Sequence, residues 1–362
     1  MVSRSADGEF SADASKPESE ATGLDREKFV QILFGSSAFQ LLKAGCDLGL
    51  FELLAHTPNQ KSEALRKQMG LSSRSIDILL LGTTSLGLTL VRDGCYSVAP
   101  IVTEFFPPGK WHILRDIVEF QSVFTIPASQ YFTESLLQDT NSGIAIVPGL
   151  GQDLYSRLSD HPDLEAAFYR GMRSWSSLSN SVLVARAELS PGERVLDVGG
   201  GDGVNAIALA SIYPDTNFTV MDMPGAIDIA REKIADEGLS DRIDVCASDI
   251  FLDEYPAGYD SILFANQLLI WSPDEIVKLL RRARRALSPS GAVMIFSAIS
   301  DDDGSGPLYA ALDNVYFSSL PSDAGFIYSW GQYEGWVKEA GFRSVERRPG
   351  GSWTPHGVIV GR

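Results

Sequence analysis

The residues with the clearest chemical potential stand together in Asp197-Val198-Gly199-Gly200-Gly201-Asp202-Gly203. The run follows a short apolar stretch and opens a helical one. Glycine there lets the backbone turn tightly and lets a ligand approach the main chain and the helix N-terminus. Gly201-Asp202-Gly203-Val204-Asn205-Ala206 also satisfies the G-x-G-x-x-A pattern of dinucleotide sites, with Asp222 about twenty residues on. The acids tilt the choice. Asp197 precedes the first glycine, where a carboxylate would face a ligand's positive charge. A pyrophosphate would be repelled by Asp197 and Asp202 together, with no arginine or lysine inside the turn to compensate. Asp249 and Phe251 end the third expected strand, where a carboxylate can take an adenine amino proton and a ring can cover the base. These features favour S-adenosylmethionine over NAD, since a sulfonium-bearing adenosyl ligand satisfies both acids.

Such a turn needs a sheet behind it. Arg194 to Val198, Phe218 to Met221, Ile243 to Ala247, Ser261 to Ala265 and Ala292 to Ala298 are short apolar runs bounded by turn residues. Helical stretches separate them: Val204 to Ile212, Ala226 to Ala235 and Pro273 to Leu287. The alternation predicts an α/β fold with a doubly wound parallel sheet over residues 189–362. Tyr333 to Ala340 reads as a helix stopped by Gly341. Ser344 to Arg348 and Gly357 to Val360 follow in hairpin order, predicting an antiparallel strand at the sheet edge.

Residues 25–188 read as mostly helical. Phe29 to Leu42 is an amphipathic run, and Asp47 to Ala55 continues in the same period. Lys61 to Met69 ends at Gly70, and Ser72-Ser73 can cap a helix over Ser75 to Leu86. Leu90-Val91-Arg92, Asp93-Gly94 and Cys95-Tyr96-Ser97-Val98 spell a two-residue hairpin, completing a winged-helix pattern. Further helices are expected over Ile113 to Val123 and Pro162 to Arg186. Residues 1–24, acidic among Ser, Ala and Gly, read as a disordered tail without the basic start or apolar middle of a secretory leader.

Composition narrows the partners. Forty-seven acidic residues against 30 basic give a net charge of −17 over 362 residues, so nucleic acid and anionic membrane surfaces are poor partners. The stretch before the hairpin carries few cations, which favours packing or dimerisation over DNA binding. The apolar stretch Ile76 to Val91 is broken by Asp77 and Thr-Thr-Ser, so no bilayer span is expected. Three widely spaced cysteines, Cys46, Cys95 and Cys246, suit a reducing compartment, so a cytoplasmic location is expected. No motif with metal-ligand spacing occurs.

On these motifs the carboxyl half resembles the class I S-adenosylmethionine-dependent methyltransferases. The chain past the tail is similar to the small-molecule O-methyltransferases of secondary metabolism that carry an amino-terminal winged-helix dimerisation domain. The resemblance rests on Asp197 to Gly203, Met221-Asp222-Met223-Pro224, Ser248-Asp249-Ile250-Phe251, Leu268 to Glu275, Ala340-Gly341-Phe342 and Phe168 to Met172. It implies that the glycine turn, with Asp197, Gly199 and Gly201, holds the methionine portion. Asp222 would hold the ribose hydroxyls and Asp249 the adenine amine, while Phe251 covers the adenine face and Met223 and Ile250 complete the cofactor set. It also implies a homodimer, and pocket residues Tyr155, Phe168, Met172, Trp175, Asn266 and Leu269 around a small-molecule acceptor.

One departure bears on mechanism. Most such enzymes place a histidine base two residues before the tryptophan, in Leu-His-Asp-Trp; here the stretch is Leu268-Leu269-Ile270-Trp271. Leucine cannot take a phenolic proton. Leucine at this place resembles the anthracycline-tailoring branch. Three readings stand: O-methylation of an aromatic or polyketide-like hydroxyl by proximity and orientation, methylation of carbon, nitrogen or sulfur, or use of the cofactor in hydroxylation, decarboxylation or rearrangement. His112, Asp313 and Asn314 are candidates for a replacement group, whereas His56, His161 and His356 read as structural or solvated.

Overall fold

A computed structural model describes residues 23–107, 110–151, 153–351 and 353–362. The tail expected over residues 1–24 lies, as far as residue 22, outside the described residues. Contacts divide the chain into two compact units, Met1–Lys110 and Trp111–Arg362. The helices between Trp111 and Ala187, assigned from sequence to the amino-terminal domain, group instead with the sheet. The reason is visible in Pro162–Ala187, which buries Val182, Leu183 and Ala187 among the sheet residues Val195, Phe296 and Val358.

In the first unit Arg26–Leu33 and Gly35–Asp47 replace the single expected helix, with a break at Phe34. Leu50–His56, Ser62–Met69 and Ser73–Ser85 follow, the last capped by the Ser72 hydroxyl, which accepts from the Ser75 amide at 3.1 Å. Leu50, Leu54, Leu65, Ile76, Leu79 and Leu80 form its core. Strand β1 (Gln60–Lys61) pairs with β3 (Cys95–Val98), which pairs with β2 (Thr89–Arg92). Asp93 and Gly94 turn the hairpin with φ of 52° and 70°, the left-handed pair whose twist suits a two-residue loop. The two residues of β1 are too few to show a period in sequence.

The second unit is built on seven strands: β4 (Arg194–Val198), β5 (Asn217–Asp222), β6 (Ile243–Ala247), β7 (Tyr259–Ala265), β8 (Leu287–Ala298), β9 (Val345–Pro349) and β10 (His356–Gly361). Their order is β6-β5-β4-β7-β8-β10-β9. The first five run parallel, and the order reverses between β4 and β7, which opens a crevice at their carboxyl ends. The antiparallel strand is β10, and it lies inside the sheet, not at the edge as expected. All six of its residues are buried, whereas β9 exposes Glu346 and Arg347, charges that suit an edge.

Pro162–Ala187, Val204–Ile212 and Pro224–Asp236 cover one face of the sheet, and Pro273–Ala286 with Trp330–Glu339 the other. The arginine run 281–285 is less free than its pattern suggested, since Arg282 and Arg284 lie 5.3 Å from the rings of Tyr255 and Phe342. A third apolar cluster gathers Phe120, Phe124, Phe168, Tyr316 and Leu320. It draws on Trp111–Phe120, its π-helical continuation Gln121–Thr125, and Leu308–Ser319, a helix not anticipated from sequence. Among the described residues no helix is long and apolar enough to cross a membrane.

Candidate active site

Asp197, Asp222 and Asp249 stand at or just beyond the carboxyl ends of β4, β5 and β6. Asp197 lies on β4 opposite Val220 and Leu263, fully buried, and both of its carboxylate oxygens lack a hydrogen-bond partner. Burial, reinforced by the charge of Asp222, pushes its pKa up to about 7. The glycines beside it are sterically required. A methyl on Gly200 would sit 2.8 Å from Asp197 Oδ2 and 2.9 Å from Val220 Cγ1. Gly199 holds φ at 69°, and a methyl there would overlap the Gln267 side chain.

Asp222 closes the turn from β5. Its Oδ2 accepts from the Gly201 amide at 2.8 Å and its Oδ1 from the Met223 amide at 2.7 Å. Burial raises its pKa and these two amides oppose the rise. Each oxygen keeps a second lone pair, the set that two vicinal ribose hydroxyls require. Met223 itself is 55% exposed, so its backbone is what the turn uses. Beyond β6, Asp249 Oδ1 accepts from the amides of Phe251 and Leu252 at 2.8 and 3.1 Å, leaving Oδ2 for an exocyclic amine. Phe251, with Ile250 beside it, packs on the core, and its ring meets Trp271 edge-on at 4.8 Å. The Trp271 indole nitrogen is buried without a partner, as is Gln267 Oε1.

Asp202 takes a different part from Asp197. Its Oδ2 pairs with Arg173 Nε at 2.9 Å and with Lys233, while Oδ1 reaches the Val204 amide at 3.4 Å. Cations from outside the turn thus answer its charge, and the case against a pyrophosphate falls on Asp197. An unpartnered buried carboxylate beside a glycine cradle calls for a cationic ligand, and the amines and hydroxyls of an adenosyl sulfonium match the remaining acceptors.

This donor set gives a pH prediction. The Asp197 pKa rises from an ordinary carboxylate value of 3.8 to about 7 on folding. The folded state therefore binds a proton that the unfolded chain has lost, and stability falls as pH climbs from about 4 to about 7, by at most about 4 kcal/mol. Asp197→Asn should flatten that decline in thermal unfolding. A bound cation reverses the preference, so affinity for S-adenosylmethionine should rise with pH across the same window. Titration calorimetry showing pH-independent binding would remove Asp197 from the cofactor's cationic end.

The residues expected around an acceptor lie on the β7–Pro273 loop and on the helices Leu154–Leu158 and Pro162–Ala187. Leu269 is 3% exposed and its carbonyl accepts from the Phe326 amide at 2.8 Å. Asn266 adopts φ of 53°, and its Oδ1 stands 2.9 Å from His356 Nε2. Burial lowers the His356 pKa to about 3, so this histidine is neutral and serves the sheet, its ring tilted against that of Phe296 at 4.9 Å. Trp175 meets Tyr309 edge-on at 5.9 Å, and Met172 packs beside the aromatic cluster. Phe168 lies at the centre of that cluster, against Phe120, Phe124, Tyr155 and Tyr169. His112 is exposed at the start of its helix, and Asn314 is committed to the Ile327 amide at 2.7 Å. Asp313 keeps accessible surface although burial pushes its pKa up to about 7. Sequence reasoning missed Tyr309, Arg173, Lys233 and Gln267.

A doubly wound sheet with this acid-and-glycine crevice defines a class I fold for an adenosyl cosubstrate. The profile of the O-methyltransferase domain matches residues 131–343, and the chain belongs to that family. It is 45% identical over 349 residues to an L-tyrosine C(3)-methyltransferase of Streptomyces lavendulae, covering 96% of this chain and 95% of that one. A 3-hydroxy-5-methyl-1-naphthoate 3-O-methyltransferase of Streptomyces sahachiroi is 32% identical over 322 residues, 89% of this chain and 91% of that one. The apo crystal structure of the S-adenosylmethionine-dependent methyltransferase SibL superposes with a TM-score of 0.85 at 50% identity, over 92% and 98% of the two chains. The protein is an S-adenosylmethionine-dependent methyltransferase of secondary metabolism acting on a small molecule.

Proposed function

We propose that this enzyme methylates a ring carbon of a phenolic small molecule of the tyrosine type. The observation that carries the reading is the 45% identity to an L-tyrosine C(3)-methyltransferase over nearly the whole of both chains. Bound S-adenosylmethionine supplies an electrophilic methyl group on a sulfonium. In this reading Asp197, Gly199 and Gly201 hold the methionine portion, Asp222 the ribose, and Asp249 with Phe251, Ile250 and Met223 the adenine. Leu269, Trp175 and Met172 give the acceptor a dry wall, which favours alignment of a carbon nucleophile on the methyl. O-Methylation is the second reading, supported by the family match and the naphthoate relative.

Turnover with 13C-methyl S-adenosylmethionine and L-tyrosine or related phenols separates the two. An aryl methyl resonance in the product is expected; a methoxy resonance would overturn carbon methylation.

We also propose a homodimer working in the cytoplasm, joined through the winged-helix pattern of the first unit. Ile32, Leu33 and Phe34 are 67%, 64% and 61% exposed in a row. On the helix that a DNA reader would insert, Ile78 and Leu81 are exposed and Arg74 is its single cation. Such apolar surface suits a second copy of the chain. Phe34→Asp should convert the dimer to a monomer in light scattering, and an unchanged mass would exclude this face.

A further inference from the structure

We infer that Asp313 takes the acceptor's phenolic proton and that Tyr309 is the residue positioning it. This rests on the phenolic reading above, and it supplies the group that Leu269 cannot.

Three links tie Asp313 and its helix to residues around the expected site. Tyr309 stands one turn earlier on Leu308–Ser319 and its hydroxyl donates to the Asp313 carboxylate. The Tyr309 ring rests edge-on against Trp175, two residues from Arg173, which grips Asp202 in the glycine turn at 2.9 Å. On the other side Asn314 Oδ1 accepts from the Ile327 amide at 2.7 Å, and the adjoining Phe326 amide donates to the Leu269 carbonyl at 2.8 Å. The helix of Asp313 is thereby tied on one side to Trp175 and on the other to the segment that holds Leu269. Asp313 is half-buried, and burial of its carboxyl pushes its pKa up to about 7.

The ionisable surroundings are few. Tyr316 lies on the same helix, with Tyr155 coupled to it. The short helices packed on Leu308–Ser319 are Ile126–Ser129, Phe132–Gln138 and Ser142–Ile146; Pro162–Ala187 contributes Trp175, and Trp111–Phe120 contributes Phe120, 5.4 Å from Tyr316, its Asp116 and Glu119 being engaged by Ser174 and Arg170. The three short helices bring one charge, the exposed Glu134, which accepts from Gln138 at 3.1 Å. Poised near neutrality, a carboxylate here accepts a proton more readily than one in water.

The balance is simple. The phenolic O–H breaks and its proton goes to Asp313, while the released electron pair flows into the ring. The neighbouring carbon forms the C–C bond to methyl as the C–S bond breaks with both electrons on sulfur. The ring carbon then loses its hydrogen as a proton to water, and Asp313 returns its own proton to oxygen. One proton is released per turnover. Transfer to oxygen would need the same first step.

Asp313→Asn and Tyr309→Phe test this, with kcat and KM for a phenolic acceptor followed across about pH 5 to 9, and cofactor affinity by calorimetry. Asp313→Asn should lose about a hundred-fold or more in kcat with cofactor affinity unchanged. Its residual rate should climb toward the phenol's own ionisation, whereas the wild type levels off above about 7. Tyr309→Phe should keep turnover but move the acid limb to higher pH, because the Tyr309 hydrogen bond lowers the Asp313 pKa. Wild-type kcat and pH profile in Asp313→Asn would overturn the inference. Should that variant not fold, the acid limb of Tyr309→Phe decides in the same way. A methoxy product with the Asp313→Asn loss intact sinks carbon methylation alone; no turnover of any phenol sinks both.

Discussion

Asp222→Ala is expected to weaken S-adenosylmethionine binding about a hundred-fold while leaving the apo protein near its normal melting temperature. Two consequences of the same geometry lead there. Asp222 receives the Gly201 and Met223 amides, so its loss frees the glycine turn to relax away from the cradle shape. It also removes the lone pairs aimed at the ribose, each charge-assisted bond being about 1.5–3 kcal/mol. About 3 kcal/mol in total corresponds to roughly a hundred-fold in Kd. The apo protein loses little because burial already disfavours the Asp222 charge. Isothermal titration of wild type and variant measures the ratio, and an unchanged Kd would remove Asp222 from the ribose site.

Phe168→Ala should lower unfolding free energy by about 3–5 kcal/mol. Phe168 is 1% exposed and its ring centroid lies 5.6 to 5.8 Å from those of Phe124, Phe120, Tyr169 and Tyr155. Those rings come from three separate helical segments, so the hole left by truncation cannot be refilled by one side chain moving. Urea unfolding with an unchanged slope and a shifted midpoint is the expected record. A variant of normal stability whose KM for the acceptor alone rises would return Phe168 to the pocket wall where the family resemblance puts it.

These two residues show different degrees of legibility. Asp222 could be read because everything that marks it is local: a strand period, a turn and a distance from the glycines. For the same reason β4, β6 and Val204–Ile212 have the boundaries that their periodicity predicts. Phe168 belongs to a motif, but whether its ring faces a ligand or other rings depends on helices far away in the chain. The helix carrying Tyr309 and Asp313 escaped notice because apolar residues surround it. Leu308, Leu312, Val315 and Tyr316 fall on one stripe, yet Leu308 and Leu312 are exposed while Ala310 and Ser319 are buried, so the apolar stripe is not the buried face.

The sequence by itself determined the doubly wound sheet, the glycine turn with its acids and the absence of a histidine base at Leu269, since each is written in neighbouring residues. Tertiary structure alone decided three things. It placed β10 inside the sheet, because pairing partners are set by total burial and not by chain order. It answered Asp202 with Arg173 and Lys233, 29 and 31 residues away, so that of the two acids in the turn Asp197 is the one left unpaired. It also raised the Asp313 carboxyl to about 7, since desolvation arises only when distant segments close around a side chain.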